Sequence, residues 1–272
     1  MAISKSMLAS VALLAALGAC ATAADAPPAA VAEAGVYAGK SVLDAGIEAA
    51  GGEAALSKVK EIYFTGTAKM TVDGATTEQN IAMLVRPFGF YRLTSWAKGA
   101  EPKTAKTVQA ELGQAWDVTR VTWQPMGDAG AKFENEQLGL YSMILLAPLK
   151  AAGVAVKEQP VGADGTRAIQ ASGANVLPAE LEFDASGKLV RAGYAGTDAK
   201  TGASTIDIAA FSGEVTSNGV KWPKQIRFER DGKPFYEIDI ATFEALPAKT
   251  VRPLAQAMQY EGGAPPSDDD AG

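Results

Sequence analysis

Histidine is missing from all 272 residues, and cysteine occurs once, at Cys20. The first absence removes the commonest general base at neutral pH, the commonest zinc ligand and every Ser-His or Cys-His nucleophile pair. The second rules out an intrachain disulfide, so burial alone must hold the fold, which this length permits in one domain. Positive charge is short as well. Lys and Arg number 25 against 31 Asp and Glu, a formal net charge of −6, which disfavours nucleic acid and anionic surfaces because both reward clustered cations. No phosphate loop of the GxxxxGK[ST] type occurs. Asp184 to Gly187 and Asp231-Gly232 lack the spaced oxygen ligands of a calcium loop and read as hairpin turns. No metal and no cofactor is therefore expected.

Among what is present, the N-terminus comes first. Lys5, the apolar run Met7 to Leu17 and the small residues after it follow the three-part order of a secretory signal. That run is too short for a bilayer span, which needs about 20 residues. Leu17-Gly18-Ala19-Cys20 resembles a bacterial lipobox, which implies cleavage of residues 1–19 and lipidation of Cys20. Ordinary cleavage in the small-residue stretch Ala21-Thr22-Ala23-Ala24 would instead discard Cys20 and leave a soluble periplasmic protein. Ala21 after Cys20 resembles the outer-membrane sorting rule of proteobacterial lipoproteins. Loss of residues 1–19 removes Lys5 and no acid, taking the formal charge from −6 to −7. Residues 20–38 read as an Ala/Pro-rich tether, 39–250 as a single folded domain, and 251–272 as a short helix followed by an acidic tail.

Ser41-Val-Leu-Asp44 fits a capping box, after which Leu43, Ile47 and Ala50 share a helix face, with a further turn or two over 53–60. From Glu61 the period switches to two: Ile62, Phe64, Gly66, Ala68, Met70 and Val72 alternate with polar residues. Asp73-Gly74 marks a hairpin, and Ile81, Met83 and Val85 return on one side. Further strands are expected at 88–96, 104–112, 115–122, 154–159, 166–171, 179–183, 188–194, 205–211, 224–230 and 234–243. Residues 136–152 are an exception, an almost wholly apolar helical stretch broken at Pro148. About a dozen one-faced strands with only two helical pieces to cover them imply either a packed interior or a hollow.

The order of these motifs resembles the bacterial outer-membrane lipoprotein-sorting superfamily, the LolA/LolB-like proteins. The resemblance rests on Arg86-Pro87-Phe88-Gly89-Phe90-Tyr91-Arg92, on Leu112-Gly113-Gln114-Ala115-Trp116, on the lid-like segment Leu138 to Ala147, and on Leu177-Pro178 through Lys188. It implies an α+β, mainly β fold: a large antiparallel half-open barrel covered by a few helices around a cavity for acyl chains. By that resemblance Arg86 is the latch of the lid, and Phe64, Met70, Ile81, Met83, Phe90, Leu140, Ile144 and Leu145 line the cavity. The long 196–203 loop and the extended 224–243 hairpin depart from the minimal carrier.

Asp117, Asp207, Glu229, Asp231, Glu237 and Asp239 offer carboxylates for glycosidase-type chemistry, yet nothing in the sequence brings two together. Ser142 has no evident base. The expected function is thus non-catalytic binding of a lipid or lipoprotein acyl chain by a monomer attached to the membrane through its N-terminal lipid. The alternative is an envelope sensor or scaffold with a packed interior and a protein partner.

Overall fold

The alternation that begins at Glu61 continues through most of the chain and builds one very large antiparallel sheet. In the computed structural model the described residues are 37–249, except 73, 112, 120 and 121. They all fall in a single unit, 33–272. Cys20, the signal segment, residues 20–36 of the expected tether and the C-terminal tail lie outside them, whereas Tyr37, expected in the tether, is buried and donates its hydroxyl to the Asp184 carbonyl at 2.7 Å.

Helix α1 (Val42–Ala49) starts where the capping box places it: the Ser41 hydroxyl accepts from the Asp44 amide at 3.1 Å. Helix α2 (Glu53–Leu56) buries only Leu56. Strands β1 (Glu61–Val72), β2 (Ala75–Arg86), β3 (Phe90–Ala97), β4 (Lys106–Glu111), β5 (Gln114–Val118) and β6 (Trp123–Pro125) form a meander. Helix α3 (Asp128–Ile144) follows, then β7 (Val154–Glu158), β8 (Arg167–Gly173), β9 (Val176–Phe183), β10 (Leu189–Thr197) and β11 (Ser204–Ser212). A separate small hairpin, β12 (Val215–Ser217) and β13 (Val220–Trp222), precedes β14 (Gln225–Arg230) and β15 (Lys233–Leu246).

The sheet order is β6-β5-β4-β3-β2-β1-β15-β14-β11-β10-β9-β8-β7, with β15 joining the two halves beside β1. The expected half-open architecture is present, and the sheet does not close: β6 and β7 are its edges among the described residues. Closing pairs would have removed both edges, so no complete barrel forms.

Register decides what faces the hollow. Phe64 pairs with Met83 and Phe243, and Ile62 with Val85, which brings the buried side chains of β1, β2 and β15 to one face. On the other half Ile169, Leu181, Ala192, Ala209 and Phe228 continue that face across β8, β9, β10, β11 and β14. Helix α3 lies against β2–β5 on one side and β9 and β10 on the other. Every residue from Glu136 to Ile144 is buried, so the helix sits inside the hollow.

Sequence periodicity misplaces this helix, which begins eight residues before the expected Glu136 and ends at Ile144; a short 3-10 turn, Ala147–Lys150, occupies the Pro148 region. Leu146 makes the reversal with φ 57°, a conformation unfavourable for a branched side chain and sustained here by full burial. The hairpin β12–β13 stacks Trp222 on Phe243, 5.6 Å between ring centres, and the Lys221 amide donates to Ala50. It thereby joins α1 to the sheet.

The pairing of β1 with β15 shifts register between Thr65 and Gly66, where a Cβ on Gly66 would lie 2.1 Å from the Asp239 carbonyl oxygen. Gly66→Ala should therefore separate β1 from β15 and destabilise the fold by about 1–3 kcal/mol, the usual range for overpacking. Urea titration of the two proteins would measure it, and an unchanged midpoint would contradict this assignment of the junction.

Candidate functional site: the helix in the hollow

Helix α3 is bound to both halves of the sheet by side chains that come in immediate succession. Asn135 accepts from the Gly113 amide at 3.2 Å and donates to the Gln114 carbonyl at 3.1 Å, which ties it to the β4–β5 turn. Glu136 accepts from the Thr197 amide at 2.9 Å and its hydroxyl at 2.7 Å, at the end of β10. Gln137 donates to the Tyr194 hydroxyl at 3.4 Å. One turn and a half further along, Ser142 accepts from the Phe88 amide at 2.8 Å and donates to the Leu138 carbonyl at 2.6 Å. Phe88 holds φ 55° in the β2–β3 turn.

A second anchor comes from an ion pair on the inner face. Asp207, fully buried, receives two bonds from Arg230, Nε to Oδ1 at 2.9 Å and Nη2 to Oδ2 at 2.7 Å, and a third from Thr205. The Arg230 guanidinium lies 5.4 Å from the Phe133 ring centre on α3 and 4.6 Å from that of Phe235. The Asp207 bonds hold the Arg230 proton more firmly than usual.

The residues expected to line a cavity separate into groups. Phe64, Ile81, Met83, Leu140, Ile144 and Leu145 are together in the buried core. Met70 lies near the far end of β1, opposite Thr77 and Tyr236, and is 36% exposed. Phe90 is buried on the other face of the sheet: its partners are Arg86 and Glu111, whereas the inward position belongs to its neighbour Tyr91. Arg86 is on that outer face too. Its Nε donates to Glu61 at 3.0 Å and its guanidinium lies 4.8 Å from the Phe90 ring centre. The Arg-Pro turn meets the helix through the Phe88 amide. Asn135, Glu136, Thr197 and Arg230 carry no signal in the sequence, where Asp207 stands only among the unpaired candidate carboxylates, since polar groups on separate strands form no local motif.

Helix α3 occupies the hollow. A half-open space of about 40 Å³ lies between Gly46, Ile144, Leu146 and Trp222, whose Nε1 is buried with no hydrogen-bond partner among the described residues. Larger openings flank α3. One of about 880 Å³ runs along Asn135, Leu138 and Gly139 beside the 174–178 turn, and another of about 540 Å³ lies at the start of the helix, reaching Glu134 and Asp117. Burial, followed by the nearby Asp117, pushes the Glu134 carboxyl up to about 8. Among the described residues no group of three or more potential metal-ligating side chains occurs.

Comparison with solved structures gives the same architecture. A LolA superfamily protein of Nitrosomonas europaea superposes with a TM-score of 0.51 over 78% of this chain and 96% of its own, at 9% identity. This chain has the LolA-like fold. Two further structures have lower TM-scores. An outer membrane lipoprotein-sorting protein domain of Vibrio parahaemolyticus gives 0.49 at 7% identity, over 74% of this chain and 92% of that one. A DUF1329 family protein of Desulfovibrio piger gives 0.46 at 12% identity, over 76% and 94%. No family model and no curated protein matches the sequence.

Two outcomes follow. Glu136→Ala leaves the Thr197 donors unpaired in a buried place and should cost about 2 kcal/mol, in the range for hydrogen bonds to a charged group; amide exchange should accelerate in α3 while β1 and β15 stay protected. Glu134 keeps its proton to about pH 8 when folded but only to about 4.5 when unfolded. Its stabilising contribution is thus full below pH 4.5 and is lost as pH rises to 8. The stability difference between the wild-type chain and Glu134→Gln should fall over that window, and a pH-independent difference in urea titrations would refute the assignment.

Proposed function

We propose that this chain is a non-catalytic cell-envelope protein that binds an apolar ligand, a lipid or lipoprotein acyl chain, in the hollow now filled by α3. The observation that carries the reading is the contrast between wall and plug. Apart from Thr197 and the Asp207–Arg230 pair with Thr205, the wall from β8 round to β2 is mainly aliphatic and aromatic, while α3 brings the buried polar groups Glu134, Glu136, Gln137 and Ser142 among those side chains. Apolar contact is non-directional, so an acyl chain can replace Leu140, Met143 and Ile144 against the same wall. The polar contacts of α3 reach both halves of the sheet, and water can take them over once the helix moves outward.

In this reading α3 is the lid and the structure is its closed form. Asn135, Glu136 and Ser142 hold it, and Phe64, Ile81 and Met83 meet the ligand when it opens. Cys20 is the lipid attachment site, which makes the protein an anchored acceptor on the periplasmic side of the outer membrane. A soluble periplasmic role takes its place if cleavage falls after Ala23. The protein acts as a monomer and needs no cofactor.

A second reading is favoured by the unbroken burial of α3 from Glu136 to Ile144: the interior is structural packing, and the protein is an envelope scaffold for a protein partner. Lipid binding separates the two. A fluorescent C16 fatty acid should bind the mature chain with micromolar or better affinity, and the combined Glu136→Ala, Ser142→Ala variant should take it up at least fivefold faster. Absence of binding to wild-type and variant chains alike would leave the scaffold reading.

A further inference from the structure

The outer face of β2–β5 is not that of a solvated sheet. Register places Ala82, Leu84, Phe90, Gln109 and Val118 on it, all buried, with Trp116 half-buried beside Gln109. A sheet packed on one side only alternates apolar residues inward with polar, solvated residues outward. The described helices make their main contacts elsewhere, α3 with the inner face and α1 with β8. An opening of about 570 Å³ reaches this face at Phe90 and Glu111, with Leu56, Pro87, Ala147 and Pro148 also in its walls. Lys249, where the described residues end, lines the same opening.

We propose that residues 250–260 of this chain dock in that opening as a short helix and continue over the outer face of β2–β5. The segment begins at the opening itself, so its effective concentration there is high, whereas a second copy has to enter past Lys249. Val251, Leu254, Ala255 and Met258 recur at i, i+3, i+4 and i+7, which is one face of a helix. Thr250 stands where an N-cap is needed, and Pro253 falls in the first turn, where its missing N–H breaks no helical bond. As a helix, residues 251–260 are about 15 Å long, and the three strand spacings from β2 to β5 cover about 14 Å. Arg252 finds an opposite charge in Glu111, which has no ion pair among the described residues.

Docking supplies the cover that the apolar part of this face requires. It also braces the end of α3, because Ala147 and Pro148 belong to the 3-10 turn that follows the reversal at Leu146. The contact is made outside the hollow, so it stands whether or not the hollow takes a ligand.

Hydroxyl-radical labelling of the full mature chain, read by mass spectrometry, tests the contact. In the wild-type chain Leu254 and Met258 should be labelled at least fivefold more slowly than in the urea-unfolded chain. Leu254→Asp combined with Met258→Asp should raise the labelling of Phe90 and Trp116 at least threefold, while Trp222, buried on β13, stays as in wild type and reports an intact fold. Gln256→Asp, on the opposite side of the segment, should change neither. Met258 labelled at the unfolded rate in the wild-type chain would overturn the docking, and so would unchanged Phe90 and Trp116 in the folded double variant. Should that variant unfold, the wild-type rates decide alone. Protection of Met258 that grows with protein concentration would put a second copy on this face and overturn the intrachain contact.

Discussion

Two consecutive side chains hold this structure across its own gap. Asn135 reaches the β4–β5 turn and Glu136 the end of β10, on opposite halves of a sheet whose edges never meet. An open sheet with an apolar inner face has to bury that face against something. Helix α3 is the connection between the two edge strands, so the chain crosses the opening there in any case. Its position in the hollow follows from covalent order as much as from affinity.

Helical geometry explains why one short helix can serve so many partners. Successive residues advance by about 100°, so Asn135 and Ser142, seven apart, return to nearly the same side. Both meet turns of the β2–β5 half. Glu136 and Gln137 are turned toward β10, and Glu134, Leu138 and Tyr141 share a third side. Apolar contact supplies most of the attraction but little direction. The polar contacts fix depth and rotation, because a slip of the helix leaves the buried Thr197 donors and the half-buried Phe88 amide unsatisfied.

Much of the fold is legible in the sequence because each long strand carries its own period. The capping box at Ser41, the β1–β2 hairpin and the Phe64, Ile81, Met83 face depend on residues close in sequence, and local reasoning reaches them. The short elements β6 and β12–β13 have three residues per strand, too few for a period to emerge. The start of α3 is hidden for another reason: Glu134-Asn135-Glu136-Gln137 looks like solvated chain until a sheet encloses it. Phe90 and Tyr91 show the limit of composition, since two adjacent aromatics cannot both face inward, and only the register with Arg86 and Val85 selects Tyr91. The same register turns Arg86 to the outer face, and the Phe88 amide of the same turn meets α3 at Ser142.

The interior thus combines two kinds of surface with different consequences. Aliphatic wall contacts are interchangeable, so another apolar group can stand where α3 stands. The contacts of residues 134–137 are not, because each polar atom needs a partner of fixed type and place. Glu134 has none of its own, yet it shares a turn with the residues that hold both halves of the sheet. A charge change at that carboxyl acts on the backbone of Asn135 and Glu136 directly, with no long pathway in between. Burial pushes that carboxyl up to about 8, so a group that resists ionisation lies in the same turn as the contacts that fix the helix.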